Sequence, residues 1–150
     1  MKIRDLLKTK DRPVITVEPD EAVSAAIQKL IDNDRGSISV CNKNGELVGI
    51  ITERDIVRKC FARIDAFANI KIQDVMAKQV AIGTPEDDLD YAISVMKQKR
   101  IRHLPIVDNQ RVVGMVSMRD LLDLQLDQTT AEIRYIGLLS RRTQRRSFLD

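Results

Sequence analysis

The sequence predicts a mixed α/β (α+β) fold made of two copies of one β-α-β-β-α unit. Three observations support this prediction: a short phrase that occurs twice, helical spacing of apolar residues in each copy, and a pair of short apolar runs joined by a turn in each copy. The phrase reads GIITERD at 49–55 and GMVSMRD at 114–120. Its period of 65 residues exceeds that of the common solenoid repeats, so two halves that pack on each other fit better than an open array.

Each unit is predicted to open with a short strand and a helix. The strands are VITV and VAIG, and Pro19 and Pro85 follow them at positions that a first helical turn tolerates. Apolar residues then recur at i, i+3, i+4 and i+7, which predicts a helix with one buried face. These residues are Val23, Ala26, Ile27 and Leu30 in the first copy and Leu89, Ala92, Ile93 and Met96 in the second.

Two further strands and a second helix complete each unit. The first hairpin consists of SISVC and LVGIIT around the turn NKNGE, whose Asn44-Gly45 dipeptide is typical of a tight hairpin turn. The second consists of HLPIV and VVGMVS around DNQ. The second helix is predicted to begin at Arg54 in one copy and at Arg119 in the other.

The repeat also defines the predicted domains. IRDLL near the N-terminus corresponds to IQDVM at an offset of 69 residues, so each copy has a similar opening segment. The first repeat is predicted to span 1–70 and the second 71–127. The remainder, 128–150, is a basic C-terminal tail with five arginines against two acidic residues, which either extends the last helix or is partly disordered.

Composition excludes several classes of protein. No apolar run approaches the roughly 18 residues that a membrane span needs, and the first residues lack the apolar stretch of a secretory signal. We therefore expect a cytoplasmic protein with no membrane partner. The two cysteines and the single histidine match no metal-ligand spacing, and there is no P-loop, so the sequence predicts neither a metal site nor an enzyme.

The repeated phrase has two interpretations. In the structural one, Thr52 with Asp55 and Ser117 with Asp120 are capping boxes that satisfy free backbone N–H groups where a strand passes into a helix. In the functional one, the same helix N-terminus binds a phosphate, the hydroxyl donates to it, the adjacent arginine pairs with it, and the aspartate accepts hydrogen bonds from a ribose. A capping box does not require an arginine, and both copies have one.

From Ile3 to Leu126 the chain resembles the CBS-domain family, named after cystathionine β-synthase, and specifically a stand-alone tandem pair. The segments that carry the resemblance are VITVEPDEAVSAAIQKL, GSISVCNKNGELVGIITERDI, VAIGTPEDDLDYAISVM and IRHLPIVDNQRVVGMVSMRDL. The resemblance implies that the two repeats pack with pseudo-twofold symmetry and enclose two clefts. It also implies homodimers, and ligands that are adenosyl compounds.

The resemblance further implies roles for individual residues. Thr52 and Ser117 look like hydroxyls on the phosphate side, Arg54 and Arg119 like phosphate partners, and Asp55 and Asp120 like ribose acceptors. The walls around the base are expected near the strand starts, at Thr16, Ser37, Ile38, Ile82, His103, Leu104 and Pro105. Two departures make the clefts unequal: Ser39 replaces the proline found at Pro105, and Thr16 corresponds to Ile82.

We therefore expect a regulatory module that binds an adenine nucleotide, whether AMP, ADP, ATP or S-adenosylmethionine, and modulates a partner protein that the sequence does not identify. The nucleotide would act as a regulatory ligand, with no tightly bound cofactor. Two alternatives stay open: a structural dimer with empty clefts, and nucleic-acid binding through the arginine-rich tail.

Overall fold

A computed structural model describes residues 1–61, 68–126 and 132–137. These ranges contain five α-helices and five strands, which confirms the predicted mixed α/β class. The helices are α1 (Ile3–Lys10), α2 (Val23–Asp32), α3 (Glu53–Cys60), α4 (Leu89–Lys99) and α5 (Met118–Leu126), and the strands are β1 (Thr16–Val17), β2 (Ser37–Cys41), β3 (Leu47–Thr52), β4 (His103–Asp108) and β5 (Arg111–Ser117). A short 3₁₀ turn covers Ile72–Asp74. The sequence prediction contained no helix at α1, and it began α3 and α5 one residue late.

The strands form two small sheets, one in each repeat. In the first sheet, β1 pairs with β2 in parallel and β2 pairs with β3 antiparallel. In the second, β4 pairs with β5 antiparallel, and only Gly83 of the predicted strand 80–83 joins, through a bridge to Ile106. Pro105 has no N–H to donate, so the parallel ladder does not extend back from Gly83 towards residue 81.

The opening segment of each repeat packs into the hydrophobic core of the other repeat. The first core contains residues from β1 to β3, α2 and α3, and the second contains residues from β4, β5, α4 and α5. Helix α1, at the start of the chain, packs into the second core, where Ile3 and Leu6 are 0% and 2% exposed. Ile70, Ile72 and Val75, at the start of the second repeat, pack into the first core. The predicted domain boundary near residue 70 stays a prediction. The side-chain packing of the first core extends across this boundary.

Equivalent backbone contacts hold the two opening segments. Ile3 donates its N–H to the carbonyl of Asp87 and Ile72 donates to the carbonyl of Glu21, both at 2.9 Å. Each segment also lies against the glycine of the repeated phrase. A Cβ at Gly114 would lie 2.6 Å from Leu7 Cδ2, and a Cβ at Gly49 would lie 2.6 Å from the sulfur of Met76. The repeated glycine, which has no Cβ, therefore leaves room for the opening segment that completes each core.

The two repeats meet at Gly36 and His103. A Cβ at Gly36 would lie 3.3 Å from His103 Nε2, so the imidazole lies close to the backbone of the first repeat. Burial, the largest effect, lowers the pKa of His103, the carboxylate of Asp120 opposes that shift, and the cations Arg102 and Lys10 add to it. The imidazole is therefore neutral at pH 7.

The C-terminal tail is described only at residues 132–137. These six residues carry no helix or strand, and the side chains of Ile133, Tyr135 and Ile136 are exposed. The rest of the predicted tail, with four of its five arginines, lies outside the described residues. Among the residues that are described, no helix has both the length and the apolar content needed to cross a lipid bilayer.

We predict that His103 makes the protein less stable as the pH falls below neutrality. Unfolded His103 takes up a proton near pH 6.5, before the folded imidazole does, so the free energy of unfolding falls as the pH drops from 6.5 towards the folded pKa. The slope is at most about 1.4 kcal/mol per pH unit. Urea unfolding of the wild type and His103→Gln at pH 7.5, 6.5 and 5.5 should show a steeper loss in the wild type. Parallel pH profiles would contradict the prediction.

Candidate functional site

Two clefts lie between the repeats, one at each copy of the repeated phrase. The first cleft is lined by residues 52–55 and has a volume of about 700 Å³. The second cleft is lined by residues 117–120 and has a volume of about 770 Å³. Both volumes are typical of small-molecule sites. Gly36, Glu53, Arg102 and His103 line both, so the contact between the repeats is the wall that the two clefts share.

The capping box in the first cleft is complete. Thr52 Oγ1 accepts the N–H of Asp55 at 3.1 Å, and Asp55 Oδ2 accepts the N–H of Thr52 at 3.2 Å and its hydroxyl at 2.9 Å. These bonds position both side chains at the N-terminus of α3. The structural interpretation of the phrase is therefore correct, and the functional one uses the same atoms.

The second cleft has an equivalent box with an added cation. Ser117 Oγ accepts the N–H of Asp120 at 3.1 Å, and Asp120 Oδ2 accepts the N–H of Ser117 at 2.7 Å. Lys10, at the end of α1, donates to the same Oδ2 at 2.7 Å and to the carbonyl of Met115 at 2.7 Å. Burial alone would raise the pKa of Asp120, but the hydrogen bonds from Lys10 and Ser117 and the positive charge of Lys10 bring it below the ordinary value. The carboxylate is therefore ionised at pH 7.

Arginines dominate the charge of the first cleft. Arg54 and Arg58 come from α3, and Arg100 and Arg102 come from the connection between α4 and β4. The acidic residues that line the cleft are Glu53 and Asp55, so it has an excess of two positive charges. Guanidinium groups are well suited to binding phosphate oxygens.

The two clefts differ in how the phrase of one repeat meets the strand start of the other. In the first cleft, Val80 and Ala81 of the second repeat lie on the same continuous surface as residues 52–55. The corresponding Val14 and Ile15 line a separate inner cavity of about 50 Å³ beside the second cleft. The side chains that line both this cavity and the second cleft are Lys10, Arg12, Arg35, Ser37 and Met115.

The structure brings eight of the predicted site residues to the clefts. Thr52, Arg54 and Asp55 line the first cleft, Ser37, Ser117, Arg119 and Asp120 line the second, and His103 lines both. The remaining predicted residues do not line either cleft. Ile38, Leu104 and Pro105 are buried, Thr16 lies within β1, and Ile82 faces a separate groove.

Strand geometry explains these differences. Successive side chains of a strand point to opposite faces, so Ile38 and Leu104 enter the two cores while their neighbours Ser37 and His103 face the clefts. Val80 and Ala81, which line the first cleft, lie one or two positions before Ile82, whereas Val14 and Ile15, at the same positions before Thr16, line the inner cavity. The predicted roles of these residues stay predictions.

Sequence reasoning missed several cleft residues. Lys10 lies in a helix that was not predicted, and Arg58, Arg100 and Arg102 lie outside the repeated phrase. The repeated phrase gives no signal for Lys10, because the contact of Lys10 with Asp120 depends on how the opening segment packs. Within the described part of the chain, no three His, Cys, Asp or Glu side chains come together as a metal site.

Known proteins share both the sequence pattern and the fold. The CBS domain family model matches at residues 3–62 and again at 72–127. YhcV, a CBS domain-containing protein of Bacillus subtilis, is 31% identical over 129 residues, covering 86% of this chain and 89% of YhcV. The uncharacterized protein MK0525 of Methanopyrus kandleri is 34% identical over 115 residues, covering 76% of this chain, which spans 59% of the length of MK0525.

Solved structures give the same result. The CBS-domain protein ATU1752 from Agrobacterium tumefaciens superimposes with a TM-score of 0.77 and 30% identity, covering 83% of this chain and 99% of that one. The CBS domain pair of MJ0100, in complex with 5′-methylthioadenosine and S-adenosyl-L-methionine, superimposes with a TM-score of 0.75 and 28% identity, covering 86% and 98%. With the family model matched in both halves, the chain belongs to the CBS-domain family and carries two CBS domains in tandem.

Proposed function

We propose that this protein is a regulatory module that binds an adenine nucleotide between its two CBS repeats and modulates a partner protein. The observation that carries the proposal is the first cleft, where a capped helix N-terminus, an aspartate and four arginines line one continuous space of about 700 Å³. Each of these groups suits one part of a nucleotide.

The ribose and the base have matching surfaces in the first cleft. The described hydrogen bonds of the Asp55 carboxylate both use Oδ2, so Oδ1 serves as the acceptor for a ribose hydroxyl. Val80 and Ala81 give an apolar wall at the other side of the cleft, where a base can bury its face. An adenosyl group therefore spans from the aspartate of one repeat to the strand start of the other.

The charge of the first cleft favours a ligand with phosphates. Four guanidinium groups against two carboxylates attract the phosphates of AMP, ADP or ATP and disfavour the sulfonium cation of S-adenosylmethionine. Thr52 has its hydroxyl hydrogen bonded to Asp55, so donation to a phosphate would replace that bond. Among the proposed ligands, the arginines support the nucleotides with the most phosphates.

The comparisons support an adenosyl ligand and a role without catalysis. MJ0100, of similar fold, has been crystallised with two adenosyl compounds. The inosine-5′-monophosphate dehydrogenase of Methanocaldococcus jannaschii is 33% identical over 123 residues, which cover 81% of this chain and only 23% of the enzyme. We propose that this chain binds its nucleotide without transforming it.

We also propose that the module works as a homodimer. Val57 on α3 is 67% exposed, Phe61 directly after α3 is 81% exposed, and Leu122 on α5 is 50% exposed, so apolar side chains lie at the surface at both second helices. Sedimentation velocity with and without ATP tests the assembly, and a monomer at all concentrations would contradict it.

We predict that Asp55→Ala weakens nucleotide binding by roughly 10- to 100-fold, as expected when a hydrogen bond to a charged acceptor is lost. Calorimetric titration of the folded wild type and variant with AMP, ADP, ATP, S-adenosylmethionine and NADH measures the change. Asp5→Ala is a matched control, because Asp5 caps α1 through the N–H of Lys2 at 3.1 Å and lines neither cleft. Equal affinity in the wild type and Asp55→Ala would exclude the ribose role of Asp55.

We predict that Arg54→Ala weakens ATP binding by roughly tenfold or more but leaves adenosine binding nearly unchanged, because the lost guanidinium pairs only with phosphates. Titration with both ligands separates the two effects. Arg119→Ala removes the equivalent arginine from the second cleft and serves as the control. If Arg54→Ala weakened ATP and adenosine equally, Arg54 would have a structural role rather than a phosphate-binding one.

A further inference from the structure

The Lys10–Asp120 ion pair distinguishes the second cleft from the first. The two side chains are 15% and 13% exposed, and Nζ lies 2.7 Å from Oδ2. Oδ2 of the corresponding Asp55 accepts hydrogen bonds from Thr52, so the second cleft differs by the ammonium group of Lys10 that lies against its carboxylate. Removing one partner of such a poorly hydrated pair leaves an uncompensated charge, so a ligand that displaces Lys10 must supply a replacement.

Lys10 also lies where the second cleft is interrupted. It lines the outer space of about 770 Å³, which holds Ser117 and Asp120, and the inner cavity of about 50 Å³, which holds Val14 and Ile15. The inner cavity has room for a few water molecules and is too small for a nucleotide base. In the first cleft, the corresponding strand-start and phrase residues share one continuous space. In the second, the path between them narrows at Lys10, Arg12 and Arg35, which line both spaces.

The opening segment that reaches the first cleft brings no charge to it. It contributes Ala77 and Gln79 to the lining of that cleft, and Gln79 is exposed. The exchanged opening segments therefore bring a cation to one copy of the phrase and an amide to the other. The difference lies outside the phrase, whose hydroxyl, arginine and aspartate are present in both copies.

We propose that Lys10 determines which cleft accepts the nucleotide: its ion pair with Asp120 closes the second cleft, and the first cleft, to which the opening segment contributes the neutral Gln79, is the open site. This inference rests on the proposed function. The wild type then binds one nucleotide per chain. The substitution Lys10→Gln should open the second site, and Gln79→Lys should close the first.

Calorimetric titration with ATP of the wild type, Lys10→Gln and Gln79→Lys tests the proposal. We expect one site per chain in the wild type and two in Lys10→Gln, the added site being lost again when Asp120→Ala is combined with it. In Gln79→Lys we expect the affinity of the first site to fall by roughly tenfold or more, because the new cation pairs with Asp55. Lys8→Gln makes the same charge change at an exposed position of α1 and should keep one site.

The outcomes separate this proposal from the proposed function. Two sites in the wild type, one site in folded Lys10→Gln, or tighter ATP binding in Gln79→Lys would each overturn the role of Lys10 while leaving nucleotide binding established. The absence of binding in every variant would overturn the proposed function and this inference with it. If Lys10→Gln fails to fold, Gln79→Lys, which changes an exposed side chain, still decides the question.

Discussion

The packing of each opening segment into a core of the other repeat governs the rest of the structure. Ile3 and Leu6 complete the core of the second repeat, and Ile70, Ile72 and Val75 complete that of the first. Each segment passes the phrase glycine of the repeat that it completes and ends near that repeat's cap. The position of the clefts, and the side chains that reach them from outside the phrase, both follow from this exchange.

The repeated phrase shows how one local geometry serves folding and supports ligand binding. Thr52 and Ser117 are helix caps in the ordinary sense, and a cap of this kind contributes about 0.5–2 kcal/mol with no ligand present. The same helix ends also face the clefts, where the helix dipole and the arginines favour an anion. The two copies are equal as caps, and differ through their neighbours Lys10 and Gln79.

Most of the fold could be predicted from the sequence, because each element occurs in both copies of the repeat and each assignment could be checked against its counterpart. The amphipathic helices α2 and α4, the two hairpins and both caps could be predicted from apolar spacing and turn residues alone. The prediction of a strand at 80–83 was wrong, because Pro105 lacks the N–H that a longer parallel β-ladder needs. Ile38 and Leu104 were placed on the cleft walls although strand alternation directs them to the cores. Lys10 could not be predicted as a cleft residue, since its position depends on a tertiary exchange that spacing does not reveal.

The exchange of opening segments has a consequence for synthesis on the ribosome. The buried partners of α1, among them Leu104, Ile106 and Val116, are translated about a hundred residues after it. At roughly 5–20 residues per second, the apolar face of α1 waits for roughly 5–20 s before its core exists. Residues 70–75, in contrast, close the first core soon after it is made. The first core of the nascent chain therefore forms promptly, whereas α1 needs protection from aggregation until the second repeat has been synthesised.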